Sequence, residues 1–207
     1  MEKVLEVYKR PYNQEHPVIC MDESSKQLIE EVVTPIPASP SNVEKQDYEY
    51  KRNGVCNIFM VNEPLTGKRY VEITEKKTKK EWGKLVESIS NNFLEAKKIT
   101  LLMDNYATHT AGALYEVFEP AKARALLDRF EFVYTPKHGS WLNMAEIELN
   151  VLMNQCLNRR ISCSEMLKKE VKAWQQHRNN KNSTINWQFK TEDARIKLHR
   201  LYPTLDA

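Results

Sequence analysis

A chain of 207 residues with 41% hydrophobic and 9% aromatic side chains can bury one substantial core, and 29% charged residues give it a well-solvated surface. No apolar run approaches the ~20 residues that cross a bilayer, and the first residues lack the apolar centre of a signal peptide. The formal charge of +3 excludes a uniformly basic nucleic-acid binder, so any such surface must be a local patch. Cys20, Cys56, Cys156 and Cys163 form no Cys-x-x-Cys pair, which fits reduced thiols in a cytoplasm better than a disulfide frame or a zinc site.

Residues 1–16 are mixed in character, contain Pro11, and read as a short lead-in arm or linker. Residues 17–21 form a compact apolar run that stops at Asp22 and Glu23, as a buried strand delivering an acid at its end would. A further strand is predicted over residues 26–33. Residues 34–53, with Pro35, Pro37 and Pro40 and no sustained period, read as a loop or protruding insertion. Residues 54–62 and 68–74 then make a hairpin, the second arm showing Val71 and Ile73 in alternation.

Thr78-Lys79-Lys80-Glu81 is a capping box, and Trp82, Leu85, Val86, Ile89 and Phe93 follow at helical spacing. Residues 99–103 are wholly apolar, as in a central parallel strand, and stop at Asp104. A helical region over residues 110–127, broken near Pro120, leads to a strand over 130–134 and a turn over 136–140. A helix over 141–158 carries Leu142, Ala145, Leu149, Leu152 and Cys156 on one face, and the next carries Leu167, Val171 and Trp174. The tail closes with Leu198, Leu201 and Tyr202 at helical spacing before Pro203. The pattern predicts an α/β domain over residues 17–180, built on a five-stranded mixed sheet with helices on both faces, and a tail over 181–207 with a short helix.

Asp22 and Asp104 both follow buried strands, and ligands gather beyond the carboxyl ends of neighbouring strands in such sheets. Converging carboxylates repel until they share a proton or bind a cation, and hard oxygen ligands suit magnesium or manganese. A third carboxylate would let them hold two ions for in-line displacement at phosphorus. Taken singly, an Asp after a strand is as often a turn former. For the third acid, Glu146 and Glu148 lie to either side of the apolar stripe of their helix, and periodicity does not choose between them.

Cys-Met-Asp-Glu at 20–23, Leu-Leu-Met-Asp-Asn-Tyr-Ala-Thr-His at 101–109 and His-Gly-Ser-Trp-Leu-Asn-Met-Ala-Glu-Ile-Glu at 138–148 resemble the signature blocks of bacterial insertion-sequence transposases related to the mariner group. The segment from Phe189 through Pro203 resembles the end of such proteins, so the likeness covers nearly the whole chain. The resemblance implies a ribonuclease H-like fold and an Asp22, Asp104 and Glu146 triad that is both catalytic and metal-binding. It chooses Glu146 through the Leu-Asn-x-x-Glu pattern at residues 142–146. It further implies two Mg2+ ions per site, replaceable by Mn2+, and strand cleavage followed by strand transfer on double-stranded DNA. A homodimer in the active complex and a bacterial cytoplasmic setting, at the nucleoid when active, are implied as well. A ribonuclease H-fold nuclease and a catalytically silent transposase relative are the alternatives.

Asn105 and His109 belong to the second block; His109 can orient a carboxylate, touch a phosphate, or simply pack on the following helix. His138, Trp141 and Asn143 flank Glu146. Trp141 either stacks on DNA or is core, and Asn143 either holds its loop or contacts DNA. Lys51 and Arg52, interleaved with Tyr48 and Tyr50, suit backbone-tracking DNA contact or a clamp on a second subunit. Lys76, Lys77, Lys79 and Lys80 suit a solvated helix start, whereas Arg159 and Arg160 suit a phosphate or a helix C-terminus. Glu23 is expected to do no more than support the site from behind. Only sixteen residues precede the first strand, too few for a helix-turn-helix module. The expectation is a catalytic fragment, split-frame product or truncated copy, with a separate helix-turn-helix polypeptide as a possible partner and weak, salt-sensitive DNA binding of its own.

Overall fold

The structure, a computed structural model, describes residues 1–202. A seven-residue helix, α1 (Glu2–Tyr8), is followed by β1 (Val18–Glu31), β2 (Tyr50–Glu63) and β3 (Lys68–Thr74), then α2 (Lys79–Asn92) and β4 (Ile99–Met103). Helices α3 (Ala111–Val117) and α4 (Pro120–Arg129) lead to β5 (Phe130–Tyr134). A 3-10 turn (Ser140–Leu142) opens into α5 (Met144–Leu152), which ends in a π turn (Met153–Leu157). The chain closes with α6 (Ser164–Asn180) and α7 (Thr191–Lys197). No helix among the described residues is long and apolar enough to cross a membrane.

The five strands lie in the order β3-β2-β1-β4-β5, with β1, β2 and β3 antiparallel and β4 parallel to both β1 and β5. Alternation along β1 divides the core in two. Ile19 and Met21 face α2, α3 and α4, packing with Trp82, Leu85, Val86, Ala113 and Leu114. Cys20 and Leu28 face α1, α5 and α6, packing with Leu5, Ala145, Leu149, Val171 and Trp174. All five residues of β4 are buried, as expected of a strand covered on both faces. The Thr78 box caps α2 as its sequence predicts.

Two expectations need correction. Residues 1–16 are not merely an arm or linker: Val4, Leu5 and Val7 of α1 are buried in the core, and Tyr8 packs on Trp187 at 5.1 Å. Nor does the first strand stop at Asp22. β1 runs on to Glu31 because β2 pairs with it throughout, so main-chain hydrogen bonds carry the polar stretch that reads as a break. An extra residue on β2 interrupts the register between Gln27 and Ile29, where Gly54 takes a φ of 100°. The insertion therefore shortens to residues 32–49, a protruding loop held by isolated bridges Ile36–Lys45 and Ser39–Asn42. The tail does hold a short helix, α7, but it ends before Leu198. Where the helical spacing of Leu198, Leu201 and Tyr202 was expected, the chain makes a 3-10 turn (His199–Leu201); Pro203 and the side chain of Leu201 lie outside the described residues.

Candidate active site

Parallel pairing between β1 and β4 ends at Cys20 opposite Leu102. Asp22 and Asp104 come just after that point, where the two strands have no main-chain bonds to each other, and Asp22 lies on the sheet face covered by α5. Glu146 sits in the first turn of α5. Burial pushes the Asp22 carboxyl up to about 7, and the charges of Asp104, Glu23 and Glu146 push it the same way. The opposing influence is one hydrogen bond, from the Glu23 N–H to Asp22 Oδ1 at 2.8 Å. Asp22 thus lies at one end of the sheet, close enough to Asp104 and Glu146 to feel their charges.

Glu148 is placed quite differently. It is 1% exposed and accepts from Arg69 (Nε at 2.5 Å, Nη2 at 2.9 Å) and Arg178 (Nε at 3.1 Å, Nη2 at 3.0 Å). Burial pushes its carboxyl up, but the hydrogen bonds and charges of Arg69 and Arg178 win and hold it below the usual range. Glu146 is half-buried and has no ion pair among the described residues, so of the two it is the one free to bind a cation.

The start of α5 is fastened to β1 by Asn143. Its side chain is fully buried, caps the helix by accepting from the Ala145 N–H (3.1 Å), and donates through Nδ2 to the Met21 carbonyl (2.7 Å). Tyr8 adds a second tie, donating to the Leu142 carbonyl at 2.6 Å while accepting from the Met144 N–H at 3.2 Å. Asn143 is therefore a loop holder, and its burial removes the DNA-contact alternative. Tyr8 escaped the sequence analysis because its partners lie more than 130 positions away.

His109 is likewise no phosphate contact. It is 1% exposed and stacks on Trp82, with Nδ1 2.7 Å from Asp104 Oδ1 and Nε2 3.4 Å from Glu23 Oε2. Burial pulls the imidazole down, but the hydrogen bonds and charges of Asp104 and Glu23 outweigh it and raise it to about 9. Those same three residues, Glu23, Asp104 and His109, have ligand atoms within 4.8 Å of one another. His109 and Asp104 thus form a close buried ion pair, while the aligned contact of Nδ1 is with the Asp104 carbonyl at 3.4 Å.

Several side chains close to the acids in sequence are open to solvent. Asn105 and His138 are exposed, the latter with a φ of 62°. Tyr106 is 45% exposed, with Lys77 Nζ 5.3 Å from its ring centroid. Trp141 is 45% exposed and meets Phe189 edge-on at 5.5 Å, so it is not the core aromatic that burial statistics favour. Lys51 and Arg52 lie on β2 nine and eight residues before Met60, the partner of Asp22, which puts them roughly 25–30 Å along the strand from the acids. Arg159 and Arg160 are engaged with Glu170 and Glu31, each at 2.5 Å, rather than free for phosphate.

A mixed sheet of this order, with acids gathered where β1 and β4 diverge, is ribonuclease H-like. Residues 17–168 match the family model described as DDE superfamily endonuclease, and the chain belongs to that family. Similar solved structures include the Mos1 mariner paired end complex with Mn, at TM-score 0.60 and 18% identity over 88% of this chain and 54% of that one. The Mos1 strand transfer complex matches at TM-score 0.57 and 15% identity over 90% and 60%. The catalytic domain of Mos1 mariner transposase matches at 0.56 and 15% over 88% and 87%. This chain thus spans about half the length of the Mos1 chain in the paired end complex, and at these identities the likeness is one of fold. No sequence among curated proteins matches it.

Proposed function

We propose that this chain is the catalytic domain of a DNA transposase that cleaves strands at transposon ends and joins the freed 3′-hydroxyl to target DNA. The observation that carries the proposal is the crowding of Asp22 with Asp104 and Glu146, unrelieved by any protein cation on Asp22 or Glu146 among the described residues. Such an all-oxygen donor set fits Mg2+, with Mn2+ able to substitute. Asp22 and Asp104 would share one ion and Glu146 would complete a second position. When bound, the ions would activate the attacking oxygen and neutralise charge on the leaving oxygen.

The chain's own residues do the rest. Asn143 and Tyr8 keep the start of the Glu146 helix against β1, which would hold the third acid on the same side of the sheet as Asp22. Trp141, Asn105 and His138, exposed and close to the acids in sequence, would contact the DNA strand. Membership of the DDE family and likeness to mariner transposase structures support this reading. A homodimer working on paired ends, a separate end-binding helix-turn-helix polypeptide, and a bacterial nucleoid setting belong to the same proposal. Lys51 and Arg52, remote from the acids, would touch DNA or a second subunit only along the extended arm.

Asp104→Asn tests the proposal on labelled duplex in Mn2+. Nicking and joining of a pre-cut 3′ end are expected of the unaltered chain and absent in the variant. Intact cleavage by the variant would overturn the assignment, and nicking without joining would mark a plain nuclease.

A further inference from the structure

β1 and β4 separate after Cys20 and Leu102, so side chains must set the distance between Asp22 and Asp104. On the α5 face that job falls to Asn143 at the Met21 carbonyl. On the opposite face a second bridge spans the gap: Glu23 of β1, His109, and Asp104 after β4, at separations of 3.4 Å and 2.7 Å. The side chains of Glu23 and His109 are 6% and 1% exposed. Glu23 Oε2, His109 Nε2 and Asp104 Oδ1 are all buried without a well-aligned hydrogen bond, so the three groups face one another at close range in a site shielded from water.

The histidine cannot swing away. Its ring is stacked on Trp82 at 5.7 Å and 29° and meets the edge of Tyr106 at 5.8 Å. Its main chain is held on both sides, the N–H donating to the Tyr106 carbonyl and the carbonyl accepting from the Tyr134 hydroxyl, each at 2.9 Å. A rigid imidazole 2.7 Å from one oxygen of Asp104 restricts how that carboxylate can turn. Groups that orient a ligating carboxylate in this way commonly change metal affinity about 10–100-fold when removed.

The geometry points to Glu23 and His109 as a buried positioning pair that presets Asp104 against Asp22 for divalent-metal binding. This inference rests on the proposed roles of Asp22 and Asp104. Neither member of the pair touches DNA or metal; each acts through Asp104.

A crossed pair of substitutions separates positioning from packing. His109→Phe keeps the stack on Trp82 and removes the donor, whereas His109→Asn keeps a donor near Nδ1 and loses much of the stack. Mn2+ affinity is measured by titration on the full chain, with Asp104→Ala beside it and folding monitored by circular dichroism. We expect Phe to weaken Mn2+ binding by about 10–100-fold and Asn by only a few fold. Should Phe alone not fold, Phe with Glu23→Leu removes the uncompensated carboxylate and is expected to lose the same affinity. Folded Phe-bearing protein with unaltered affinity, or Asn weaker than Phe, would overturn the pair. Unaltered affinity in Asp104→Ala would instead overturn the site itself.

Discussion

Two glutamates two positions apart on α5 should fail in opposite ways. Glu148 holds four hydrogen bonds to Arg69 and Arg178, and both it and Arg69 are 1% exposed. Removing one partner of a buried pair strands the other charge and costs about 3–5 kcal/mol. The Arg178 side chain is 19% exposed, so water recovers part of that loss. Glu148→Gln should therefore sit near the low end, ~3 kcal/mol, or about 6–12 °C in Tm at 2–4 °C per kcal/mol for a chain of this size. Glu146, half-buried and unpaired, should cost within about 0.5 kcal/mol as Gln, yet abolish cleavage. Thermal unfolding in chelator, beside Mn2+-dependent nicking of labelled duplex, reads both effects. A Glu148→Gln protein with unchanged Tm and no activity, beside an active Glu146→Gln, would refute the reasoning.

Further outcomes follow from the same geometry. Because Glu148 is held below its unfolded value, its contribution is present above about pH 4.5 and is lost as pH falls through the depressed folded value. Acid unfolding should accordingly begin at higher pH in Arg178→Ala. Asp22 is raised instead, to about 7, so the folded state binds its proton more tightly and metal-free stability falls as pH climbs from about 4 to 7. Asp22→Asn should raise the metal-free Tm at pH 8, with the gain fading toward pH 4, as differential scanning calorimetry would show. Asn143→Ala removes a cap and strands the Met21 carbonyl, which should cost about 2–3 kcal/mol by urea unfolding. Trp141→Ala should weaken single-strand binding by about 1–3 kcal/mol in fluorescence titration with little change in Tm.

What the sequence discloses depends on how local each signal is. β4 declares itself because five apolar residues in a row are buried on both faces, and the α2 start because its cap lies within four residues. The acids after apolar runs were legible for the same reason. The length of β1 was not, since polar Ser24, Ser25 and Lys26 owe their extended state to pairing with residues 56–58 of β2. Helix α1 is a mere seven residues, too short to show a period, although three of them are buried. The choice between Glu146 and Glu148 was out of reach of periodicity, because the deciding arginine, Arg69, comes from a strand 79 positions away. His109 shows the same limit. Its motif, Asp104 included, was visible, but its other carboxylate neighbour, Glu23, comes from the distant strand β1.

The most direct measurement is the position of manganese, by anomalous scattering, in crystals of this chain soaked with Mn2+. Manganese should lie between Asp22 and Asp104 with Glu146 in reach, while Glu148 stays bound to Arg69 and Arg178. Manganese held away from Asp22 and Asp104, or drawn to Glu148 with the arginine pairs broken, would contradict the proposed active site.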